Sequence, residues 1–178
     1  MLSERMLIKN GGIKMITMKV ISIDLHTTGK DPFKDRITGI SCKWATGERI
    51  FTGTDEGKIL DDFVSFYDRE NFGVWVGFNI NNFDVPFFRL RCLKYNISIG
   101  QLQMSFIDLR AILANNRDRV KGKLSDYKKL IDITGDYPKV GINVSWSPEV
   151  ISKYEDVLLD DVRTTWLLFE RSMEIGLI

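Results

Sequence analysis

Apolar residues recur along this chain in two rhythms. Short runs rich in β-branched residues alternate with stretches whose apolar positions return every three or four residues, and Gly, Asn and Pro mark the changes. Val20, Ile21 and Ile23 with Leu25 predict a buried strand, broken at once by Thr27-Thr28-Gly29. Beyond a polar loop at 30–36, Ile37–Trp44 and residues 49–52 predict two more strands joined by the hairpin turn Ala45-Thr46-Gly47. In 55–70, Ile59, Phe63 and Phe66 or Tyr67 return at helical spacing behind an acidic start that suits the helix dipole. The apolar run 73–78 is too short for a helix and predicts a buried strand, followed by an Asn-rich turn at 79–82. A helix is expected over 84–95, with Pro86 in its first turn, and a last strand over 102–106 that ends at Ile107-Asp108-Leu109. Helices follow near 109–114, near 124–133 and from Pro148, with Ser147 as cap. A three-strand meander, then strand–helix alternation, then helices, predicts an α/β fold in which a mixed sheet is flanked by helices on both faces.

Composition narrows this picture without redirecting it. A chain of 178 residues is expected to form one domain with a core that needs no staples. Cys42 and Cys92 stand far apart in apolar settings without ligand spacing, which predicts buried free thiols and a reducing compartment. No apolar run reaches the length of a membrane span, so no membrane partner is expected. Residues 1–18 lack the long apolar segment and cleavage site of a secretory signal; they read as a poorly ordered extension before a domain at 19–178, in a protein of the cytoplasm or wherever the genome is replicated. The net charge of +1 is neutral on nucleic acid, so any basic grip must be local. The run 117–129, which includes Lys121 and Lys123, is such a concentration.

Candidate chemistry lies where apolar sequence meets a turn. Asp24 and His26 leave the first strand on one face, because side chains two apart point the same way. Asp84 opens a helix after the buried strand, and Asp161 lies in the final helix. There Leu158, Val162, Thr165 and Phe169 form one stripe; Asp161 falls at its edge as a semi-buried carboxylate, whereas Asp160 and Asp156 read as solvated. Taken singly, each acid is a cap, a turn or a helix edge. Brought together, they would repel and raise one another's pKa unless a cation neutralised them, and an oxygen ligand set suits Mg²⁺ or Mn²⁺. Two such ions on carboxylates serve in-line displacement at phosphorus.

These residues resemble the motifs of the DEDD group of 3′→5′ exonucleases, with the closest likeness to proofreading exonucleases related to family B DNA polymerases. Asp24-Leu25-His26-Thr27-Thr28-Gly29 resembles the first motif, Asp-x-Glu-Thr-Thr-Gly. Phe78-Asn79 with Asn82-Phe83-Asp84-Val85-Pro86 resembles the second, and Asp161-Val162-Arg163-Thr164-Thr165 with Leu168 the third. Phe106-Ile107-Asp108-Leu109 and Leu124-Ser125-Asp126 also have counterparts there. The resemblance implies a ribonuclease H-like fold and a two-metal exonuclease acting on the 3′ end of nucleic acid, single-stranded DNA first and RNA second, with a polymerase or replication protein as partner. It implies that Asp24 bridges both metals, Asp84 serves the second and Asp161 the first. Thr27, Thr28, Asn79, Asn82, Phe83, Lys121 and Lys123 would then face the nucleic acid. His26, the sole histidine, stands where the family carries the metal-binding Glu. Imidazole ligates Mn²⁺ or Zn²⁺ but is a poor ligand for Mg²⁺. The water-positioning Tyr or His is replaced by Val157 or Asp156, with Tyr154 as the substitute on the same helical face. Those departures define the alternative: a pseudo-exonuclease that binds nucleic acid or a polymerase without cutting.

Overall fold

The computed structural model describes residues 19–99, 105–114, 122–131 and 148–178. The extension at 1–18, the start of the strand expected at 102, the end of the helix expected at 133, the Ser147 cap and Lys121 lie outside these residues.

Among the described residues five strands form one sheet in the order β3-β2-β1-β4-β5: β1 Lys19–Thr27, β2 Ile37–Trp44, β3 Gly47–Thr52, β4 Phe72–Gly77 and β5 Ser105–Asp108. The meander β1-β2-β3 is antiparallel, while β4 and β5 run parallel to β1. Helices α1 Glu56–Glu70 and α2 Asp84–Lys94 supply the crossovers. The chain then adds α3 Leu109–Leu113, α4 Leu124–Leu130 and α5 Pro148–Glu174. The mixed sheet with flanking helices stands as expected. β5 ends at Asp108, within the expected Ile107-Asp108-Leu109, and its described pairing runs from Val74 opposite Ser105 to Gly77 opposite Asp108.

Alternation along the strands divides the interior into two layers. Ile21, Ile23 and Leu25 of β1 and Trp75 of β4 pack on one face with Phe63 of α1 and Phe88 of α2, in a cluster where Trp75 meets both rings edge-on. Val20, Val74, Val76 and Ile107 point to the other face, where Trp166, Leu168 and Phe169 of α5 cover them. By this parity Ser22, Asp24 and His26 also face α5. Asp55 caps α1 by accepting from the Lys58 N–H, and Asn71 ends it in the left-handed region at φ 57°.

One buried ion pair ties the first-layer helices to the loop after β1. The Glu56 carboxylate accepts from Arg91 Nε at 2.8 Å and from the Ile37 N–H at 2.6 Å. Arg91 Nη1 in turn donates to the Pro32 carbonyl at 3.0 Å. The pair is almost fully desolvated, so loss of either partner would leave a charge stranded.

Candidate active site

The parallel strands β1, β4 and β5 all end at one edge of the sheet, and ligands in open α/β sheets bind outside such carboxyl ends. Asp24 and His26 leave β1 at this edge. The turn 78–83 leaves β4 there, and Asp108 is the last residue of β5.

Asp84 is delivered from that turn. Its residue is only 5% exposed, and its Oδ1 accepts the Leu25 N–H at 3.1 Å, which locks the start of α2 onto the end of β1. Burial above all, then the neighbouring Asp24 charge and the Asp108 charge, raise the Asp84 carboxyl well above the ordinary range. Asp24 keeps 34% of its side chain exposed. Two aspartates from segments far apart in sequence thus share one place, the more buried resisting ionisation first through its burial and then through the other's charge.

His26 is held from three sides. Its Nε2 lies 2.6 Å from Ser41 Oγ on β2, its Nδ1 lies 3.8 Å from Asp24 Oδ2, and the Leu158 carbonyl of α5 accepts from the ring. Burial pushes its pKa down to about 4, against smaller opposing contributions from the Asp161 charge and the Leu158 carbonyl. The imidazole is therefore neutral at pH 7. Its width is accommodated by small neighbours on β2: a Cβ added at Gly39 would come within 3.3 Å of His26 Cδ2.

Asp161 is close enough for its charge to act on His26, so α5 does bring it to the same edge. Its expected burial needs correction. Asp161 is exposed, whereas Asp160 is the half-covered acid, bound by Lys128 Nζ at 2.7 Å. The stripe through Leu158, Val162, Thr165 and Phe169 is buried as expected. The reversal arises because α4 covers the Asp160 flank of α5, which a single-helix projection does not contain. Asp156 is exposed, as expected, and takes a hydrogen bond from Arg163.

The remaining expected site residues divide. Thr27 Oγ1 donates to the Gly29 carbonyl, and Thr28 Oγ1 donates to Asp35 while accepting the Arg36 N–H, so both hydroxyls shape the loop after β1. Gly29 lies so close to Asp35 that an added Cβ would clash, at 2.3 Å. Asn79 adopts φ 67°, and Asn82 donates to its Oδ1 at 3.1 Å. The Phe83 ring leans on Phe87 and the core. Lys123 is exposed at the start of α4. Tyr154 is half-buried under the Lys153 ammonium, roughly 10 Å along the helix from Asp161.

Two supporting residues carried no role in the sequence reading. Asp108 caps α3 through the Ala111 N–H and accepts the Asn79 and Asn81 N–H groups at 2.9 and 3.2 Å, fixing the turn that presents Asp84. An Asp between a strand and a helical run was the available signal. Ser41 was signalled only by small residues alternating with Ile40 and Cys42 in β2.

Among the described residues, no group of three or more His, Cys, Asp and Glu side chains is gathered in the arrangement of a metal shell. The donor chemistry is nonetheless suited to one hard cation between Asp24 and Asp84, whose shared negative charge it would neutralise.

The model of the exonuclease domain of DNA polymerase family B matches residues 21–130, more than half of the chain. The chain belongs to that family. As a family B exonuclease domain it is 31% identical over 172 residues to an uncharacterised protein of Methanocaldococcus jannaschii, a match covering 88% of this chain and 96% of that protein. It is 30% identical over 95 residues to a DNA polymerase of Archaeoglobus fulgidus, covering 53% of this chain but 12% of the polymerase. Its fold matches the family B DNA polymerase of the archaeon Pyrobaculum calidifontis with a TM-score of 0.74 at 20% identity, over 92% of this chain and 25% of that one. The ribonuclease H-like architecture is therefore that of the family. The family match ends at residue 130, before α5 and Asp161.

Proposed function

We propose that this family B exonuclease domain hydrolyses phosphodiester bonds at the 3′ end of nucleic acid, with single-stranded DNA as the preferred substrate, RNA as the second, and Mg²⁺ or Mn²⁺ as cofactor. One observation supports the reading: Asp24 and Asp84 meet at the carboxyl edge of the sheet, and burial, then the Asp24 charge, holds Asp84 toward its neutral form. Asp24 and Asp84 would hold one divalent cation, and Asp161 with Asp24 a second. When bound, such ions activate water and stabilise the leaving oxygen. The chain's own contribution is placement. Leu25 fixes Asp84, Asp108 fixes the turn before it, and the Thr28–Asp35 hydrogen bond braces the loop after β1. The whole-polymerase context, including a polymerase or replication partner, belongs to the same proposal.

A second reading has its own support. His26 occupies the motif position of a carboxylate and is tied to Ser41 and Leu158, so one negative charge is missing and its imidazole bridges three elements. That favours a pseudo-exonuclease which binds nucleic acid or a polymerase without cutting. Incubating the protein with 5′-labelled single-stranded DNA and RNA in Mg²⁺ or Mn²⁺ separates the two. Progressive 3′ shortening, abolished by Asp24→Ala and Asp84→Ala, supports the exonuclease. Binding without shortening under either metal supports the alternative.

A further inference from the structure

We propose that Arg110 grips a backbone phosphate of the bound strand, with Asn79 as the residue that presents it; the inference rests on the nucleic-acid reading above. Arg110 lies two residues beyond Asp108, at the sheet edge that carries the aspartates. Its Nη1 donates to Asn79 Oδ1 at 2.8 Å, and the same oxygen accepts from Asn82 Nδ2 at 3.1 Å. Asn79 is itself immobilised, with a left-handed backbone and an N–H donated to Asp108. The guanidinium is half-buried and held at one corner of its fork.

A guanidinium has five N–H donors, and among the described residues this one spends a single donor on protein and meets no carboxylate at ion-pair distance. The nearest acid along the chain, Asp108, commits its oxygens to the backbone N–H groups of Asn79, Asn81 and Ala111. By contrast, Arg91 and Arg163 are each matched to carboxylates. A planar cation anchored through a neutral amide, beside a cluster of acids that repels polyanions, suits a phosphodiester anion, which accepts the remaining donors in bidentate fashion. It would also offset the negative field that Asp24, Asp84 and Asp161 present to an incoming strand. Arginine here thus serves binding, acting beside the acids and outside the hydrolytic step.

The test is fluorescence anisotropy of a labelled oligothymidylate against the full chain in calcium buffer and in EDTA, across a salt series. Arg110→Gln is expected to weaken binding about tenfold near 0.1 M salt and to flatten the slope of log K against log salt by about 0.7, the share of one phosphate contact on a single strand. Arg110→Lys keeps the slope but recovers only part of the affinity, because an ammonium cannot form the bidentate pair. Asn79→Gly, which retains the left-handed turn and removes the amide, weakens binding in the same direction by less. Arg69→Gln at the far end of α1 changes neither quantity, and thermal melting verifies the fold of every variant. Arg110→Gln binding with the wild-type affinity and slope overturns this inference alone. A wild-type protein that binds no oligonucleotide in either buffer overturns the nucleic-acid reading beneath it.

Discussion

On the proposed exonuclease reading, His26 is the residue on which the chemistry would turn, because a neutral ring stands where the family motif has a carboxylate. His26→Glu should strengthen Mg²⁺ binding by calorimetry and raise Mg²⁺-supported cleavage by about tenfold, as a restored carboxylate would stabilise a cation-bound transition state by roughly 1.4 kcal/mol. If titration and cleavage both stay flat, His26 is not a weakened ligand. The same side chain makes stability depend on pH. Its pKa falls from 6.5 to about 4 on folding, so the unfolded chain binds more protons between those values. The contribution is whole above pH 6.5 and is lost as pH drops toward 4, a change of about 3 kcal/mol. Asp84 has the opposite sign, since a raised carboxyl pKa costs the metal-free fold stability as pH rises past the ordinary carboxylate range. Comparing urea midpoints at pH 7 and near pH 4.5 isolates the histidine: His26→Gln should abolish most of the acid loss, and an unchanged loss would refute this assignment.

At the scale of elements, α5 carries an exposed acid, Asp161, beside a paired one, Asp160, and the proposed function separates their roles. Asp160→Asn should cost about 2 kcal/mol, because it removes the carboxylate that the Lys128 ammonium of α4 reaches at 2.7 Å. Asp161→Asn should leave the melting curve in place while lowering any cleavage roughly a hundredfold. Reversed outcomes would mean that the two aspartates have been assigned the wrong roles. The sequence made the order of elements legible wherever one rhythm ran long enough: β1 to β4 and the helices 56–70 and 84–94 fall where periodicity and caps put them. β5 is read with its end at 107–109, but its register is defined by its partner β4, which no local pattern contains. The exposure of Asp161 lies beyond what a single-helix pattern contains. A stripe on one helix identifies the core face, but what lies over the flank depends on α4. The threonines of the first motif showed the same limit, since their hydroxyls close on Gly29, Asp35 and Arg36, residues that only the folded loop brings near.

For the molecule as a whole, the acids were legible as a set only because motif spacing joined segments that folding brings to one sheet edge. Clustered charge of this kind trades stability for affinity. In EDTA, Asp24→Asn should raise the melting temperature by several degrees, while wild type but not the variant gains stability as Mg²⁺ or Mn²⁺ is added, following the ligand's preference for the native state. A variant that melts lower in EDTA would show Asp24 to be a structural acid. No described helix is long and apolar enough to cross a membrane. The Arg91 guanidinium, which clasps Glu56 and the Pro32 carbonyl at once, has a mechanical corollary. It sits on α2 about two turns from Asp84, so the helix that carries the innermost acid and the loop that follows His26 are geared to a single cog. Cutting that clasp, as in Arg91→Met, would therefore loosen the loop and the helix that aims Asp84 together.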